Sequence, residues 1–284
     1  MATIKALACE LPAQRDEPLS RYSTAELARV IAAHADAPPM SRSTIWRILD
    51  RDALKPWRYR SWLFPRDPQF AEKAGRVLDL YAGFWDGQPL HPDDCILSAD
   101  EKTSIQARHR CHPSQPPLPG HPAHVEHEYE RQGALAYLAA WDVRRGGIQG
   151  RCEATTGKAP FGRLVDQVMQ QEPYRSAPRV FWIVDGGSSH RGATAARELA
   201  ARYPTLILVH LPTHASWLNQ IELYFSIIQR KVLTPNDFAD LTAVEERLLA
   251  YETLYNRTAR PFAWTFTRTD LERRLAQLTL ADAA

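Results

Sequence analysis

The sequence predicts an α/β fold, with a mixed β-sheet flanked by helices and preceded by a small all-α region. Short apolar runs of the kind that form buried strands alternate with helical patterns from about residue 95 onward. Two short helical patterns separated by prolines lie near the amino end. The 284 residues give room for one large domain and a smaller one. We therefore divide the chain into residues 1–54, 55–90 and 91–284.

The first region, residues 1–54, is predicted to contain two helices. Ser23-Thr24-Ala25-Glu26 has the form of a capping box, in which the serine and the glutamate cap the same helix end. Pro38-Pro39 ends that helix because proline lacks the backbone N–H, and Ser41 or Ser43 caps a second one. The predicted core residues of the two helices are Leu27, Val30, Ile31, Ile45, Ile48 and Leu49. Two helices with a tight break are typical of a helix-turn-helix, although an ordinary helical hairpin fits the same pattern.

The charge distribution around the second helix favours DNA as a partner, although the net charge of the whole chain is only +2. In a helix-turn-helix the second helix enters the major groove. The residues of that helix predicted to face DNA are Arg42, Ser43, Thr44 and Arg47. Between Ser41 and Arg66, seven basic residues stand against two acidic ones, a local charge of +5.

Residues 55–90 are predicted to connect the two domains. Basic and aromatic residues are interleaved from Lys55 to Arg66, which predicts an extended arm lying on a phosphate backbone. The charged residues of the arm that would contact DNA are Lys55, Arg58 and Arg60. The alternative is a linker whose aromatic side chains pack on the next domain. A helix from about Gln69 to Trp85 is predicted to complete the segment.

The composition argues against a membrane protein and against a disulfide framework. No apolar run reaches the roughly 18 residues needed to cross a bilayer, and the start lacks a secretory signal, so a cytoplasmic location is expected. The four cysteines include no Cys-x-x-Cys pair. Zinc is an alternative for a proline-rich segment that contains His109, Cys111, His112, His121, His124 and His127. Because these spacings match no common structural zinc site, a loop that touches DNA through Arg108 and Arg110 is favoured.

Residues 91–284 are predicted to form the main domain. The predicted strands are 95–100, 134–142, 147–152, 179–185 and 206–211, and the predicted helices are 161–171, 192–202 and one that follows residue 216. The resulting order, β-β-β-α-β-α-β-α, is the ribonuclease H-like arrangement.

Three carboxylates in this domain are candidates for one site. Asp100 and Asp185 each close a predicted strand, and active sites of open α/β sheets collect at the carboxyl ends of strands. Glu222 is predicted to lie about three turns into a helix that Ser216 caps and that packs beside both strands. Converging carboxylates repel unless a cation lies between them, and all-oxygen ligands suit Mg²⁺ or Mn²⁺. Two such ions about 4 Å apart would support cleavage or transfer of a phosphodiester.

Three segments resemble the signatures of transposases of the insertion sequence 630 family, the DDE-type enzymes related to mariner elements. The segments are Ser98-Ala99-Asp100-Glu101-Lys102-Thr103-Ser104-Ile105-Gln106, Val184-Asp185 followed by His190, and Thr213-His214-Ala215-Ser216-Trp217-Leu218-Asn219-Gln220-Ile221-Glu222. The resemblance extends from the helix-turn-helix to the segment around Trp264. It implies a ribonuclease H-like fold with Asp100, Asp185 and Glu222 as the metal-binding triad.

The resemblance also implies a reaction and its partners. Two Mg²⁺ (or Mn²⁺) ions would serve attack by water at the inverted-repeat ends of the element. The freed 3′-hydroxyl would then attack target DNA, commonly at TA. A dimer assembled on DNA, associated with the bacterial nucleoid and with no membrane partner, is expected because two ends are brought together. Gly186 departs from the family, since many relatives carry Asn at this position.

Three further residues are predicted to support the triad. Lys102 would approach a phosphate, His190 would hydrogen-bond a carboxylate or the scissile phosphate, and Asn219 would orient Glu222. Each also has an ordinary structural interpretation, as a solvated lysine, a helix cap or a packed amide. Two alternatives to a transposase stay open: a nuclease that cuts without joining, and a protein that only binds DNA.

Overall fold

The computed structural model describes residues 2–58, 65–186 and 193–282. The chain divides into two compact units, residues 1–64 and residues 65–284. The boundary between them falls in the basic and aromatic segment that begins at Lys55. A search of the described residues finds no helix that is both long enough and apolar enough to span a membrane.

Helices form the described part of the first unit: α1 (Ala2–Cys9), α2 (Thr24–Ala33) and α3 (Arg42–Arg51). The capping box of α2 is confirmed, since the Glu26 N–H donates to the Ser23 hydroxyl at 3.3 Å and the Ser23 N–H donates to the Glu26 carboxylate at 2.7 Å. Ser41, rather than Ser43, caps α3 by accepting from the Thr44 N–H at 3.3 Å. Side-chain caps therefore set the starts of both predicted helices.

The core of this unit contains every residue predicted for it and a further helix that the sequence patterns did not predict. The six predicted core residues are buried together with Ile4, Leu7 and Ala8 of α1. These three lie at steps of three and four residues, which places them on one face of α1. The helix is short, so its apolar pattern is carried by few residues.

The described part of the basic segment forms a turn, so the prediction of an extended arm is wrong for residues 55–58. The Arg58 N–H donates to the Lys55 carbonyl at 2.8 Å, closing the turn, and proline suits its second position, where Pro56 stands. Trp57 packs against the helical core of the first unit, so burial of its indole favours this turn. Arg60 lies outside the described residues.

The connecting helix, α4 (Phe70–Tyr81), ends before Trp85, where the sequence predicted its end. A small hairpin of strands β1 (Phe84–Trp85) and β2 (Gln88–Pro89) follows it. The hairpin turns at Asp86-Gly87, whose φ angles are 47° and 76°. An Asp-Gly pair favours this type of turn because both positions need positive φ.

The second unit is built on a mixed sheet. Its strands are β3 (Cys95–His109), β4 (Glu130–Asp142), β5 (Ile148–Glu153), β6 (Val180–Val184) and β7 (Leu206–His210). In the described residues the sheet has five strands in the order β5-β4-β3-β6-β7. β3 pairs antiparallel with β4 and parallel with β6, and β6 pairs parallel with β7. The predicted mixed sheet and its order along the chain are confirmed.

Helices cover both faces of this sheet. On one face, α5 (Lys158–Met169) and α6 (Ala193–Arg202) pack on the strands. On the other face lie α4, α7 (Ile221–Lys231), α8 (Leu241–Asn256) and α9 (Arg268–Asp282). The sequence patterns did not predict α8, which buries only Val244 and Leu248 fully.

β3 is longer than predicted, and Asp100 does not close it. The strand continues to His109 because β4 pairs with it as far as Glu130. It pairs with β6 only from Cys95 to Ser98. The register with β4 shifts after Lys102, so a bulge lies just beyond Asp100. Asp100 therefore lies within β3, but beyond the part of β3 that pairs with β6.

Candidate active site

The two predicted aspartates lie at one edge of the parallel part of the sheet. Asp185 is the first residue after β6, and Asp100 lies two residues beyond the last parallel pair, Ser98 with Ile183. Side chains alternate between the faces of a strand. Asp100 therefore shares the face of Ser98, and Asp185 that of Ile183, which is the face covered by α4, α7 and α9. The two carboxylates thus leave adjacent strands on the same side.

Glu222 reaches the site from the first turn of α7, which begins at Ile221. Residues Ser216–Leu218 form a separate 3₁₀ turn, and the N-cap of α7 is Gln220. The prediction that Ser216 caps this helix, with Glu222 three turns inside it, is wrong. An acidic side chain in the first turn also interacts favourably with the positive end of the helix dipole.

The residues before α7 are fixed to the rest of the unit, which explains why the helix starts late. The Tyr81 hydroxyl donates to the Leu218 carbonyl at 2.8 Å. The Ser98 hydroxyl accepts from the Ile221 N–H at 3.0 Å. Bonds to α4 and β3 thus replace the intrahelical bonds that a longer α7 would make.

Asn219 is buried, and its side chain positions Asp100 rather than Glu222. Its amide nitrogen donates to the Asp100 carboxylate at 3.2 Å and to the Ala99 carbonyl at 3.1 Å. Its amide oxygen accepts from the Ser98 hydroxyl. The predicted role of Asn219 therefore needs correction: Glu222 bonds only to its backbone, through an N–H donated to the Asn219 carbonyl at 3.1 Å.

The carboxylates of the site affect one another electrostatically. Burial raises the pKa of Asp100 to about 7, and the negative charges of Asp185, Glu101 and Glu222 act in the same direction. The Glu101 N–H, which donates to Asp100 at 2.8 Å, opposes this rise. Loss of water also raises the pKa of Glu222, with a further contribution from Asp185. The three predicted residues therefore share one electrostatic environment.

Lys102 brings a positive charge close to these carboxylates. It is half-buried on β3, and its ammonium lies near enough to Glu222 to lower the pKa of that carboxyl. The alternation of β3 places Lys102 on the same face as Asp100. His190 lies outside the described residues, so its predicted role has no structural counterpart here.

The donor chemistry of the site fits a hard divalent cation. Carboxylates that raise the pKa of one another are stabilised by a cation between them, and oxygen ligands suit Mg²⁺ or Mn²⁺. Over residues 2–58, 65–186 and 193–282, no three His, Cys, Asp or Glu side chains form a group that could hold a metal ion.

Replacing Asn219 by alanine tests the role of this amide. The change removes the hydrogen bonds of this buried amide to the Ser98 hydroxyl, the Asp100 carboxylate and the Ala99 carbonyl, so we expect the free energy of unfolding to fall by about 1–3 kcal/mol. Cleavage of DNA should fall as well, because Asp100 loses its fixed position. Asn256→Ala is the matched control, since Asn256 also bonds a strand, at the Ile148 N–H and carbonyl. Stability is measured by chemical denaturation, and cleavage is compared under conditions in which both variants are folded. Equal cleavage rates for the two variants would contradict this role.

The predicted DNA-facing residues of the first unit lie on the exposed side of α3. Arg42, Ser43 and Arg47 are exposed, whereas Thr44 is half-buried and hydrogen-bonded to Ser41 at the helix cap. The Arg47 guanidinium donates to the Ser43 carbonyl at 3.3 Å. Sequence reasoning missed one residue of this face: Trp46 is 47% exposed. An indole next to two arginines on a candidate recognition helix was a visible indication of a binding face.

The histidine-rich segment is a long connection between β3 and β4. Isolated bridges join Gln115 to His124 and Leu118 to His121 within it. His112 contacts the Glu126 carboxylate at 2.8 Å, which holds the two sides of the connection together. The predicted loop is thus partly ordered by its own contacts.

Comparison with known proteins places the chain in a family. A family model described as DDE superfamily endonuclease matches residues 96–245, more than half of the chain and a range that contains all three carboxylates. No curated protein matches the chain.

Several solved structures share the fold at low sequence identity. A Mos1 mariner paired-end complex with Mn has a TM-score of 0.55 at 17% identity, covering 89% of this chain and 71% of that one. A pre-cleavage Mos1 transpososome has a TM-score of 0.51 at 18% identity, covering 85% and 75%. A Mos1 paired-end complex with Mg has a TM-score of 0.51 at 16% identity, covering 84% and 73%. The predicted α/β fold is thereby confirmed, and the chain belongs to the DDE superfamily of endonucleases.

Proposed function

We propose that this endonuclease is a DNA transposase of the insertion sequence 630 and mariner kind. It would cut its element at the inverted-repeat ends and join the 3′-hydroxyl to target DNA, at TA, in the bacterial cytoplasm. The observation that carries the proposal is the placement of Asp100 and Asp185 at one edge of the sheet, with Glu222 in the first turn of α7, where the three carboxylates affect one another. All three fall within the range matched by the endonuclease family.

Asp100, Asp185 and Glu222 would hold the divalent ions, two of Mg²⁺ or Mn²⁺. When bound, these ions would polarise the scissile phosphate and stabilise the attacking and leaving oxygens of an in-line displacement. The chain supplies the positions: the Asn219 amide fixes Asp100, and β6 delivers Asp185 beside it. Support for divalent ions comes also from the related Mos1 complexes, which are described with Mn and with Mg.

The side chains of the protein would position the scissile phosphate for the reaction. Lys102, beside Glu222, offers an ammonium to a phosphate oxygen. The attacking group is water in the cutting step and the 3′-hydroxyl of the element in the joining step. No side chain becomes covalently attached, because both steps are direct displacements at phosphorus.

We assign DNA recognition to the helix-turn-helix of residues 1–54, the connection to residues 55–90 and catalysis to residues 91–284. The exposed face of α3 supports this assignment, with Arg42, Ser43 and Arg47 as the groove-facing residues and Thr44 at the cap. Lys55 and Arg58 would contact the phosphate backbone.

The proposed assembly is a dimer on DNA. Transposition joins two element ends to one target, so two catalytic units act together. The Mos1 structures that share this fold are described as paired-end complexes and as a transpososome. Both descriptions support a dimer in which each subunit acts on DNA.

A strand-transfer assay tests the function and separates it from its rivals. The substrate is a labelled duplex carrying the repeats that flank this reading frame, pre-cut to expose a 3′-hydroxyl, with a supercoiled plasmid as target. The full-length protein in Mg²⁺ should produce labelled plasmid. Cleavage without joining would identify a nuclease that only cuts. If no cleavage occurs and Asp185→Ala binds DNA as well as the wild type does, the protein only binds DNA.

A further inference from the structure

A groove of about 810 Å³ runs along the outer part of β3 in the second unit. One part of its lining comes from β3 between residues 102 and 110, and the rest from residues 125–129 and 229–236. Lys102 lines the end of the groove nearest the candidate active site, since it follows Asp100 by two residues on β3 and shares its face. The groove therefore continues from the proposed catalytic edge.

The lining of the groove has more basic than acidic side chains among the described residues. Lys102, Arg108 and Arg110 line it, and Glu126 is its one acidic lining residue among those described. The Glu126 carboxylate is occupied by His112, which contacts it at 2.8 Å through its ring and at 2.8 Å through its backbone N–H. Among the described residues, no carboxylate forms an ion pair within 4 Å of Lys102, Arg108 or Arg110.

Neutral groups hold the two guanidinium groups of the groove in place. The Arg108 guanidinium lies over the Tyr129 ring, 4.5 Å from its centroid, and that of Arg110 lies 5.7 Å from the same centroid. The Arg110 guanidinium donates to the Asn236 carbonyl at 3.1 Å, and that of Arg108 donates to the Gln106 amide oxygen at 3.4 Å. Stacking and bonds to neutral oxygens fix an arginine while leaving its charge available to an anion.

The wall that carries these arginines is itself fixed by Asn236. Its side-chain oxygen accepts from the Arg108 N–H at 3.0 Å, and its side-chain nitrogen donates to the Gln106 carbonyl at 2.7 Å. The Phe238 N–H donates to the Arg108 carbonyl at 3.0 Å. The segment after α7 thus continues the hydrogen bonding of β3, so the arginines stand on rigid backbone.

We propose that this groove binds one strand of the substrate DNA as it leaves the catalytic edge, with Arg108 and Arg110 contacting its phosphates. The proposal rests on the proposed function, because it takes the substrate to be DNA cut beside Lys102. At about 3.3 Å per residue, β3 separates Lys102 from Arg108 by up to roughly 20 Å. The groove therefore contacts phosphates several nucleotides away from the one that reacts. Tyr129 and Asn236 are positioning residues for the two arginines.

The salt dependence of DNA binding tests the groove. Full-length protein is titrated with a labelled single strand of about 30 thymidines and with a labelled duplex of about 30 base pairs, over a series of salt concentrations. Losing two phosphate contacts in Arg108→Gln/Arg110→Gln should reduce the slope of log K against log salt by about 1.4 for the single strand and about 1.8 for the duplex. An unchanged slope would overturn the proposal.

Matched variants separate a binding role from general effects of charge or folding. Arg163→Gln/Arg202→Gln removes the same charge from α5 and α6, at arginines that do not line the groove and that pair with Glu153 and Asp166, and should leave the slope unchanged. Arg108→Lys/Arg110→Lys keeps the charge and should restore most of the slope if the glutamine variant proves unstable. Tyr129→Leu should weaken binding about threefold to tenfold at fixed salt with little change of slope. Equal slopes in the lysine and glutamine variants would contradict phosphate contacts.

A plasmid-nicking assay with the same proteins separates this inference from the proposed function. Cleavage in Mg²⁺ that requires Asp185, together with an unchanged salt slope in the glutamine variant, would refute the groove and retain the enzyme. A reduced slope in the absence of any Asp185-dependent cleavage would retain the groove and refute the proposed function.

Discussion

Replacing Asp185 by asparagine is expected to reduce Mg²⁺-dependent DNA cleavage by at least about 10³-fold, which corresponds to about 4 kcal/mol. The same loss is expected for Asp100→Asn and Glu222→Gln. Each substitution keeps the size of the side chain but removes one of the negative charges that this edge of the sheet brings together. Cleavage of a supercoiled plasmid, measured as the initial rate of nicking, provides the test.

Binding and folding provide the controls for this prediction. Each variant should bind DNA as well as the wild type does, because removing a negative charge reduces repulsion of the phosphates. Glu252→Gln removes another carboxyl whose pKa is raised by burial, on α8, and should keep full cleavage, since Glu252 contacts Tyr137 rather than the aspartates. More than a tenth of the wild-type rate in a variant of Asp100, Asp185 or Glu222 would exclude that residue from catalysis.

The position of Asp185 could be predicted from local sequence, whereas the setting of Asp100 could not. Val180–Val184 is a wholly buried apolar run, so the strand and the acid that follows it are both evident. β3 instead continues through a mostly polar stretch from Glu101 to His109, in which Ile105 and Ala107 are the buried residues. Pairing with β4, a contact distant in sequence, stabilises that extension. Asp100 and Asp185 lie at the same edge of the sheet because the parallel pairing of β3 with β6 ends near Asp100.

The start of α7 shows the limit of periodicity. Apolar spacing continues from Leu218 into the helix, so the pattern predicts a helix that already includes the residues around Asn219. The structure interrupts it there because a buried amide bonds to Ser98 and to Asp100, about 120 residues earlier in the chain. Helical periodicity reports which residues are buried, and it does not report hydrogen bonds to distant strands.

Helices α2 and α3 of the first unit were more predictable because their determinants are local. The serines that cap α2 and α3 lie next to the residues they cap, and the apolar spacing of both helices is regular. α8 escaped prediction for the opposite reason, since its fully buried side chains, Val244 and Leu248, make a narrow apolar stripe. Such a helix depends on packing against the sheet rather than on its own pattern.

Glu252 is a half-buried acid outside the candidate active site. It accepts a hydrogen bond from the Tyr137 hydroxyl at 3.0 Å, within the core formed by β4, β5, α7 and α8. Burial raises the pKa of Glu252 to about 7, from an ordinary value of 4.5, and the bonds from Tyr137 and the Gly150 backbone only partly oppose this. The folded protein therefore retains this proton up to a higher pH than the unfolded chain does.

Glu252→Gln should consequently stabilise the protein at high pH and change it little at low pH. Between about pH 4.5 and 7 the folded state binds more protons than the unfolded state, so stability falls as pH rises, and above pH 7 the ionised carboxylate costs about 3 kcal/mol. Glutamine cannot ionise and still accepts from Tyr137. We expect the variant to exceed the wild type in free energy of unfolding by about 3 kcal/mol at pH 8 and by under about 1 kcal/mol at pH 5, measured by urea denaturation in EDTA.

The control is Glu246→Gln, at an exposed position on the same helix, which should change the free energy of unfolding by no more than about 0.5 kcal/mol at either pH. A Glu252→Gln effect that is the same at pH 5 and pH 8 would mean that this carboxyl is ionised throughout, and that the core around Tyr137 admits water.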